Sequence, residues 1–186
     1  MVILASASPR RRELLKQITE DFQIIVSDID EEQSYVLPPL EAVLDIAKRK
    51  GLKVHDNHPH DLVISADTIV VLDNEIIGKP VDEEDAKRIL HKLSNRTHEV
   101  ITAYCLFKED KMIEHYVISK VTFYKLSDAL IEAYVKTGSP MDKAGAYGAQ
   151  DNEKYPIVKE VVGSMSNVIG FPIKEIKEDF MKMKNL

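Results

Sequence analysis

The chain has 186 residues, 44% of them hydrophobic and 30% charged, with a formal net charge of −6. That length suits one domain, or one core with a lobe, and the acidic balance excludes broad nucleic-acid binding, which needs a basic face. Cys105 is the only cysteine, which excludes an intrachain disulfide. The first apolar run is too short for a signal peptide or a membrane span, so a cytoplasmic protein with neither nucleic-acid nor membrane partners is expected.

The apolar run Val2 to Ala5 predicts a buried strand. Ser8 and Pro9 then suit the N-cap and first position of a helix. Arg10, Arg11 and Arg12 fill that helix's first turn, where the dipole favours acidic residues. Cations there suggest either a solvated basic turn or a phosphate site built from serine, guanidinium and backbone donors.

Gln23 to Val26 reads as a second strand. Leu40, Val43, Leu44 and Ala47 share one helical face after Pro38-Pro39, and the helix is expected to end near Lys50, with Gly51 just past its end. Leu62 to Ala66 predicts a buried strand that continues through Ile69 to Leu72. Asp73-Asn74 predicts a hairpin turn before Glu75 to Ile77. A helix should start near Asp82. Glu99 to Phe107 and Ile113 to Tyr124 predict a long antiparallel hairpin, and Ser127 should cap another helix. Asp142 to Gln150 and Gly163 to Pro172 read as loops before a C-terminal helix. The fold class is α/β (α+β): a mixed twisted sheet with a long antiparallel hairpin, flanked by helices.

Chemistry-bearing residues gather at strand ends and loops. Asp67 follows an apolar run, as a strand-end cap or as a carboxylate aimed into a cleft. Lys79 is held between Gly78 and Pro80, and Asp142 to Gln150 combines charge, glycine and an amide. Together they supply carboxylates for a divalent metal, cations for phosphates and an amide for a base edge, an inventory suited to attack on a nucleotide polyphosphate. His55, His58 and His60 read as a solvated loop, and Tyr147 as either a base-stacking ring or loop packing.

The chain resembles the Maf family of nucleoside triphosphate pyrophosphatases, also called septum formation proteins. The matching segments are Ala5-Ser-Ala-Ser-Pro-Arg-Arg-Arg-Glu-Leu-Leu15, Ser65-Ala-Asp-Thr-Ile-Val70, Gly78-Lys-Pro80, Leu93-Ser-Asn-Arg-Thr-His-Glu-Val100, Asp142-Lys-Ala-Gly-Ala-Tyr-Gly-Ala-Gln150 and Asn167-Val-Ile-Gly-Phe-Pro172. The fifth segment is similar to the branch acting on dTTP and UTP. Two departures stand out: Asn95 replaces the usual glycine, and Asp151 to Pro156 replaces a glycine-rich stretch.

The resemblance implies an inosine-triphosphatase-like architecture over residues 1–186 as a single domain with a central cleft. It implies hydrolysis of dTTP and UTP to monophosphate and pyrophosphate, with Mg2+ or Mn2+ as cofactor. It makes Asp67 the proton acceptor and, with Glu31, a metal neighbour. It assigns Arg10, Thr68 and Gln150 to substrate choice, and Ser6, Arg11, Glu31, Lys50 and Lys79 to other substrate contacts. It suggests a homodimer, for which the sequence supplies no interface. The alternatives are a broader pyrimidine enzyme that accepts CTP, or a nucleotide-binding regulator of cell division.

Overall fold

The computed structural model describes residues 1–185. Its seven strands form one mixed sheet in the order β2-β1-β3-β5-β6-β7, with β4 paired to β3. The strands are β1 (Val2–Leu4), β2 (Gln23–Ile24), β3 (Leu62–Leu72), β4 (Glu75–Ile77), β5 (Thr97–Lys108), β6 (Lys111–Phe123) and β7 (Val158–Val162). The helices are α1 (Pro9–Leu15), α2 (Pro39–His55), α3 (Glu83–Leu93), α4 (Asp128–Val135), α5 (Met165–Ile169) and α6 (Ile173–Lys184). The mixed sheet and flanking helices are those expected from the sequence.

The chain forms two compact units. The first comprises residues 1–68, 102–117 and 170–185, and the second 69–101 and 118–169. In the first unit β1 runs parallel to β3, with Leu4 opposite Ile64, and parallel to β2. Parallel strands covered on both faces read as continuous apolar runs, as Leu62 to Ala66 does. Leu4, Leu15, Ile64, Tyr104, Phe171, Ile176 and Phe180 build this unit's core. Tyr104 donates to Asp179 Oδ2 at 2.7 Å, which ties α6 to β5.

The second unit has its own core, from Val70, Leu90, Leu93, Phe123, Tyr134 and Tyr147. Asp73 and Asn74 have φ of +50° and +63°, the left-handed pair that a two-residue hairpin requires. Asp82 caps α3 through the N–H of Asp85, and Ser127 caps α4 through Leu130. Asn95, the first departure, has φ +57° and occupies the left-handed turn itself.

Two local expectations are corrected, and one left open is narrowed. First, α2 does not stop at Gly51 but runs on to His55, and His55 stacks on Phe107 rather than lying in a solvated loop. Gly51 is present because space is short: a Cβ there would sit 2.2 Å from Phe107 Cε2 and 2.5 Å from Ser65 Oγ. Tertiary crowding, not helix termination, selects glycine. Second, Gly163 to Pro172 contains α5, started by Ser164 Oγ accepting the Asn167 N–H at 3.1 Å. Tyr147, left open between base stacking and packing, is buried in the second unit's core. Its ring meets Phe123 edge-on at 4.6 Å, and its hydroxyl lies 2.6 Å from His98 Nε2. Burial pulls His98 down to about 4, so that imidazole is neutral near pH 7.

Gly51 generates a test. Glycine to alanine inside a helix normally stabilises by about 1 kcal/mol. Here the added methyl has no room, and overpacking should reverse the sign, with Gly51→Ala costing about 1–3 kcal/mol in denaturant unfolding. A stabilised variant would refute the crowding account.

Candidate active site

Asp67 lies inside β3 rather than at its end, and it is only 7% exposed. A strand-end cap is thereby excluded. A carboxylate in such a place needs compensating charge. Lys50, from the middle of α2, supplies it: its ammonium lies 2.8 Å from Asp67 Oδ1 and 2.7 Å from Glu31 Oε1. Two carboxylates therefore share one cation. Burial nevertheless holds the Asp67 carboxyl above the ordinary carboxylate range, with Lys50 and then Arg11 pulling it back only in part.

Glu31 stands on an irregular segment fixed to α2 from below. Arg49 donates from both terminal nitrogens to the Asp30 carbonyl, at 3.0 and 2.9 Å, and from Nε to Asp45 Oδ2 at 2.8 Å. Arg49 also donates to Ser34 Oγ, and Ser34 donates to Asp45 at 2.7 Å. Lys53 donates to the Asp28 carbonyl. The Tyr35 hydroxyl points at Glu31 Oε2 from 3.5 Å, and burial together with that carboxylate pushes it up to about 12. Sequence reading passed over this bracket, although Asp45 and Arg49 at i, i+4 were visible as a helical ion pair.

The arginine run divides. Ser8 caps α1, accepting the Arg11 N–H at 3.4 Å. Arg11 then turns its guanidinium into the protein. It donates to Ala66 O at 2.8 Å, Gly170 O at 2.9 Å, Thr68 Oγ1 at 3.0 Å and Ser6 Oγ at 3.2 Å. Thr68 Oγ1 also lies 2.9 Å from Thr102 Oγ1. Arg11 thus ties α1 to β3 on either side of Asp67 and to the start of the C-terminal segment. Gly170, at φ +117°, can present its carbonyl here without a side chain crowding Thr68. Arg10 is the second residue of α1 and is half-buried. Ser6, Arg11, Glu31, Lys50, Asp67 and Thr68 are thus linked around one strand of the first unit.

Lys79 and Gln150 belong to the second unit. Lys79 is exposed, and its neighbour Gly78 accepts the Gly145 N–H at 3.1 Å, which ties the two loops together. Gln150 is exposed on a short 3-10 turn, Ala149–Asp151. Among the described residues, no group of three or more His, Cys, Asp and Glu is gathered for a metal, and no helix is long and apolar enough to cross a membrane.

The architecture defines the class first. The fold is shared with a HAM1 protein from Coxiella burnetii, at TM-score 0.54 and 11% identity over 97% of this chain and 98% of that one. It is also shared with the Ham1 protein of Staphylococcus aureus, at TM-score 0.51 and 12% identity over 98% of both chains. The chain is therefore built on a Ham1 or inosine-triphosphatase-like fold, as the resemblance implied. Within that class, the Maf-like protein family model matches residues 1–183, and the chain belongs to that family. It is 45% identical to a dTTP/UTP pyrophosphatase of Pyrococcus abyssi, over 96% of this chain and 94% of that protein. A dTTP/UTP pyrophosphatase of Thermococcus onnurineus is 46% identical over 94% and 93%. One of Geobacter sulfurreducens is 44% identical over 98% and 96%.

The Lys50 bridge generates a pH prediction. Because the native Asp67 carboxyl lies above its unfolded value, the native state binds more protons between those two values. The stability contributed by Asp67 therefore falls as pH rises through that window. Lys50→Gln removes the largest opposing charge. Carbon-13 titration should show the Asp67 carboxyl moving higher still, and the variant's stability deficit should shrink as pH is lowered. An unmoved titration would sink the pairing.

Proposed function

We propose that this protein hydrolyses dTTP and UTP at the α–β phosphoanhydride, giving the nucleoside monophosphate and pyrophosphate. The observation that carries the reading is the buried carboxylate of Asp67, in contact with a lysine it shares with Glu31, in a chain about 45% identical to dTTP/UTP pyrophosphatases over nearly its whole length.

Asp67 is the base. A carboxyl raised by burial is a better proton acceptor than an exposed one, and so is suited to taking a proton from the attacking water. Lys50 keeps it ionised and aimed. Arg11 fixes the strand on either side of Asp67 and adds a positive charge close to it. Arg10 and Lys79 are assigned to charge on the triphosphate and on the departing pyrophosphate. Ser6 and Thr68 are assigned to the same substrate, and Gln150 to the base edge. A primary amide offers one acceptor and two donors, and so can meet the carbonyl and N3–H that thymine and uracil present.

The residues present fit a divalent cation of the Mg2+ or Mn2+ kind. Glu31 and Asp67 supply hard oxygen donors gathered around one cation, the Lys50 ammonium, and a divalent ion beside it would share them. One or two carboxylates completed by phosphate oxygens and water is the usual protein share for Mg2+. When bound, such an ion supplies charge neutralisation and a more acidic water. A cytoplasmic location, where nucleoside triphosphates are found, is part of the same proposal.

The test is product analysis with dTTP, UTP, CTP and purine triphosphates in the presence of Mg2+ or Mn2+. dTMP and pyrophosphate in equal amounts are expected. Orthophosphate with dTDP would overturn the assignment of the cleaved bond, and equal use of CTP would favour a broader pyrimidine enzyme. Asp67→Asn should lower turnover at least ~100-fold while leaving the fold intact, the scale of losing a general base.

A further inference from the structure

Two consecutive cations of α2, Arg49 and Lys50, hold Glu31 from different sides. Lys50 takes its side chain, with the ammonium 2.7 Å from Glu31 Oε1. Arg49 takes the backbone just before it, donating twice to the Asp30 carbonyl, at 3.0 and 2.9 Å. Arg49 is itself aimed by Asp45, whose Oδ2 accepts from Nε at 2.8 Å. Ser34 closes the bracket from the other end of the turn. A hydroxyl has one proton. Ser34 spends it on Asp45 Oδ2 at 2.7 Å, so its oxygen is left to accept from Arg49. Between these anchors the Glu31 carbonyl accepts the Ser34 N–H at 3.0 Å, and Asp30 Oδ1 accepts the Glu32 N–H at 3.0 Å.

The segment has little else to hold it. From Val26 to Pro38 only Ser34 is buried, and Tyr35, Val36 and Leu37 are exposed. A stretch with so few buried apolar contacts opens at low cost unless hydrogen bonds close it. Arg49 supplies most of that closure, and Lys53 adds a bond to the Asp28 carbonyl. The guanidinium does so as a rigid planar fork, which a lysine ammonium does not reproduce. The Glu31 carboxylate is then held in its own right: Oε1 meets Lys50, and Oε2 faces the Tyr35 hydroxyl from 3.5 Å. Lys50 is anchored in turn by Asp67 at 2.8 Å.

We propose that Arg49, with Asp45 and Ser34, is a positioning residue that keeps Glu31 beside Asp67, so that the two carboxylates bind a divalent cation together. This rests on the reading of Glu31 and Asp67 as the protein's donors to that ion. Arg49 touches neither metal nor substrate in this account. It fixes where the Glu31 backbone starts, and Lys50 fixes where the carboxylate ends. Without the bracket Glu31 drifts with its exposed segment, and Asp67 is left to bind the ion alone. Groups that orient metal ligands cost about 10–100-fold in affinity when they are removed.

The test is a binding titration with Mn2+ alone, without nucleotide, on the full chain, with the free ion followed by electron paramagnetic resonance. The variants are Glu31→Gln, Arg49→Gln, Arg49→Lys, Ser34→Ala and the double variant Glu31→Gln/Arg49→Gln, each with its thermal midpoint. Expected is about tenfold weaker Mn2+ binding in Arg49→Gln. Ser34→Ala should lose less, and Arg49→Lys should recover part of the loss, since it keeps a donor but not the fork. In the Glu31→Gln background Arg49→Gln should cost nothing further, because residues acting through one group are not additive. A merely structural role would give an additive loss, and that result would overturn the proposal. Native affinity in both Arg49→Gln and Ser34→Ala would overturn it too, while a loss confined to Glu31→Gln would leave the metal reading standing. Ser34→Ala removes only a hydroxyl, and so decides the matter if Arg49→Gln fails to fold. Native affinity in Glu31→Gln, or no saturable binding by the native chain, would overturn both readings of the metal. Because no nucleotide is present, a chain that binds Mn2+ as expected but releases no pyrophosphate fails the hydrolytic reading alone.

Discussion

A negative charge inside a buried strand is expensive to hold, and much of the first unit is arranged around that cost. Asp67 interrupts an apolar run that otherwise belongs to the core. An isolated carboxylate there would simply stay protonated. Lys50 arrives from α2 to prevent this, and Glu31 is brought to the same ammonium by a segment strapped to α2 through Arg49, Asp45 and Ser34. Arg11 adds a second positive charge and ties down the residues on either side. Breaking such a pair strands one buried charge, and the penalty exceeds what the pair gains by forming. The same arrangement leaves the carboxyl basic enough to accept a proton.

The folding elements were largely legible because they depend on local rules. Ser8 and Ser127 cap the helices they were read to cap, α3 starts beside Asp82 as expected, and Asp73-Asn74 makes the expected left-handed turn. Gly51 was misread because its cause is tertiary: a phenylalanine 56 positions along the chain occupies the space a side chain would need. α5 was missed because five residues carry too short a pattern, although its serine cap stands in the sequence.

The site was legible in its residue types but not in their division of labour. Three consecutive arginines look alike on paper. Arg11 differs because two of its acceptors, the carbonyls of Ala66 and Gly170, are backbone atoms that no sequence advertises. The Asp151 to Pro156 stretch stands where a glycine-rich one would leave the loop loose. Its first two residues instead tighten it: Asp151 orients two hydroxyls and Asn152 holds three backbone groups. Hydrophilic side chains that bond to their own loop are indistinguishable in sequence from those that face water.

The bond from Arg11 to the Gly170 carbonyl joins residues 159 positions apart. A ribosome delivers the chain from the N-terminus at a finite rate, so Arg11 emerges long before its partner. The first unit also waits for Phe171, Ile176 and Phe180 to fill its core. During synthesis the second unit has all its residues available before the first does. The partners of Asp67 are thus present early, but the packing of the strand that bears it is finished only when residues 170–180 are available. A chain cut before Gly170 would keep Asp67, Lys50 and Glu31 but lose one acceptor of Arg11 and the Phe171, Ile176 and Phe180 part of the core around them.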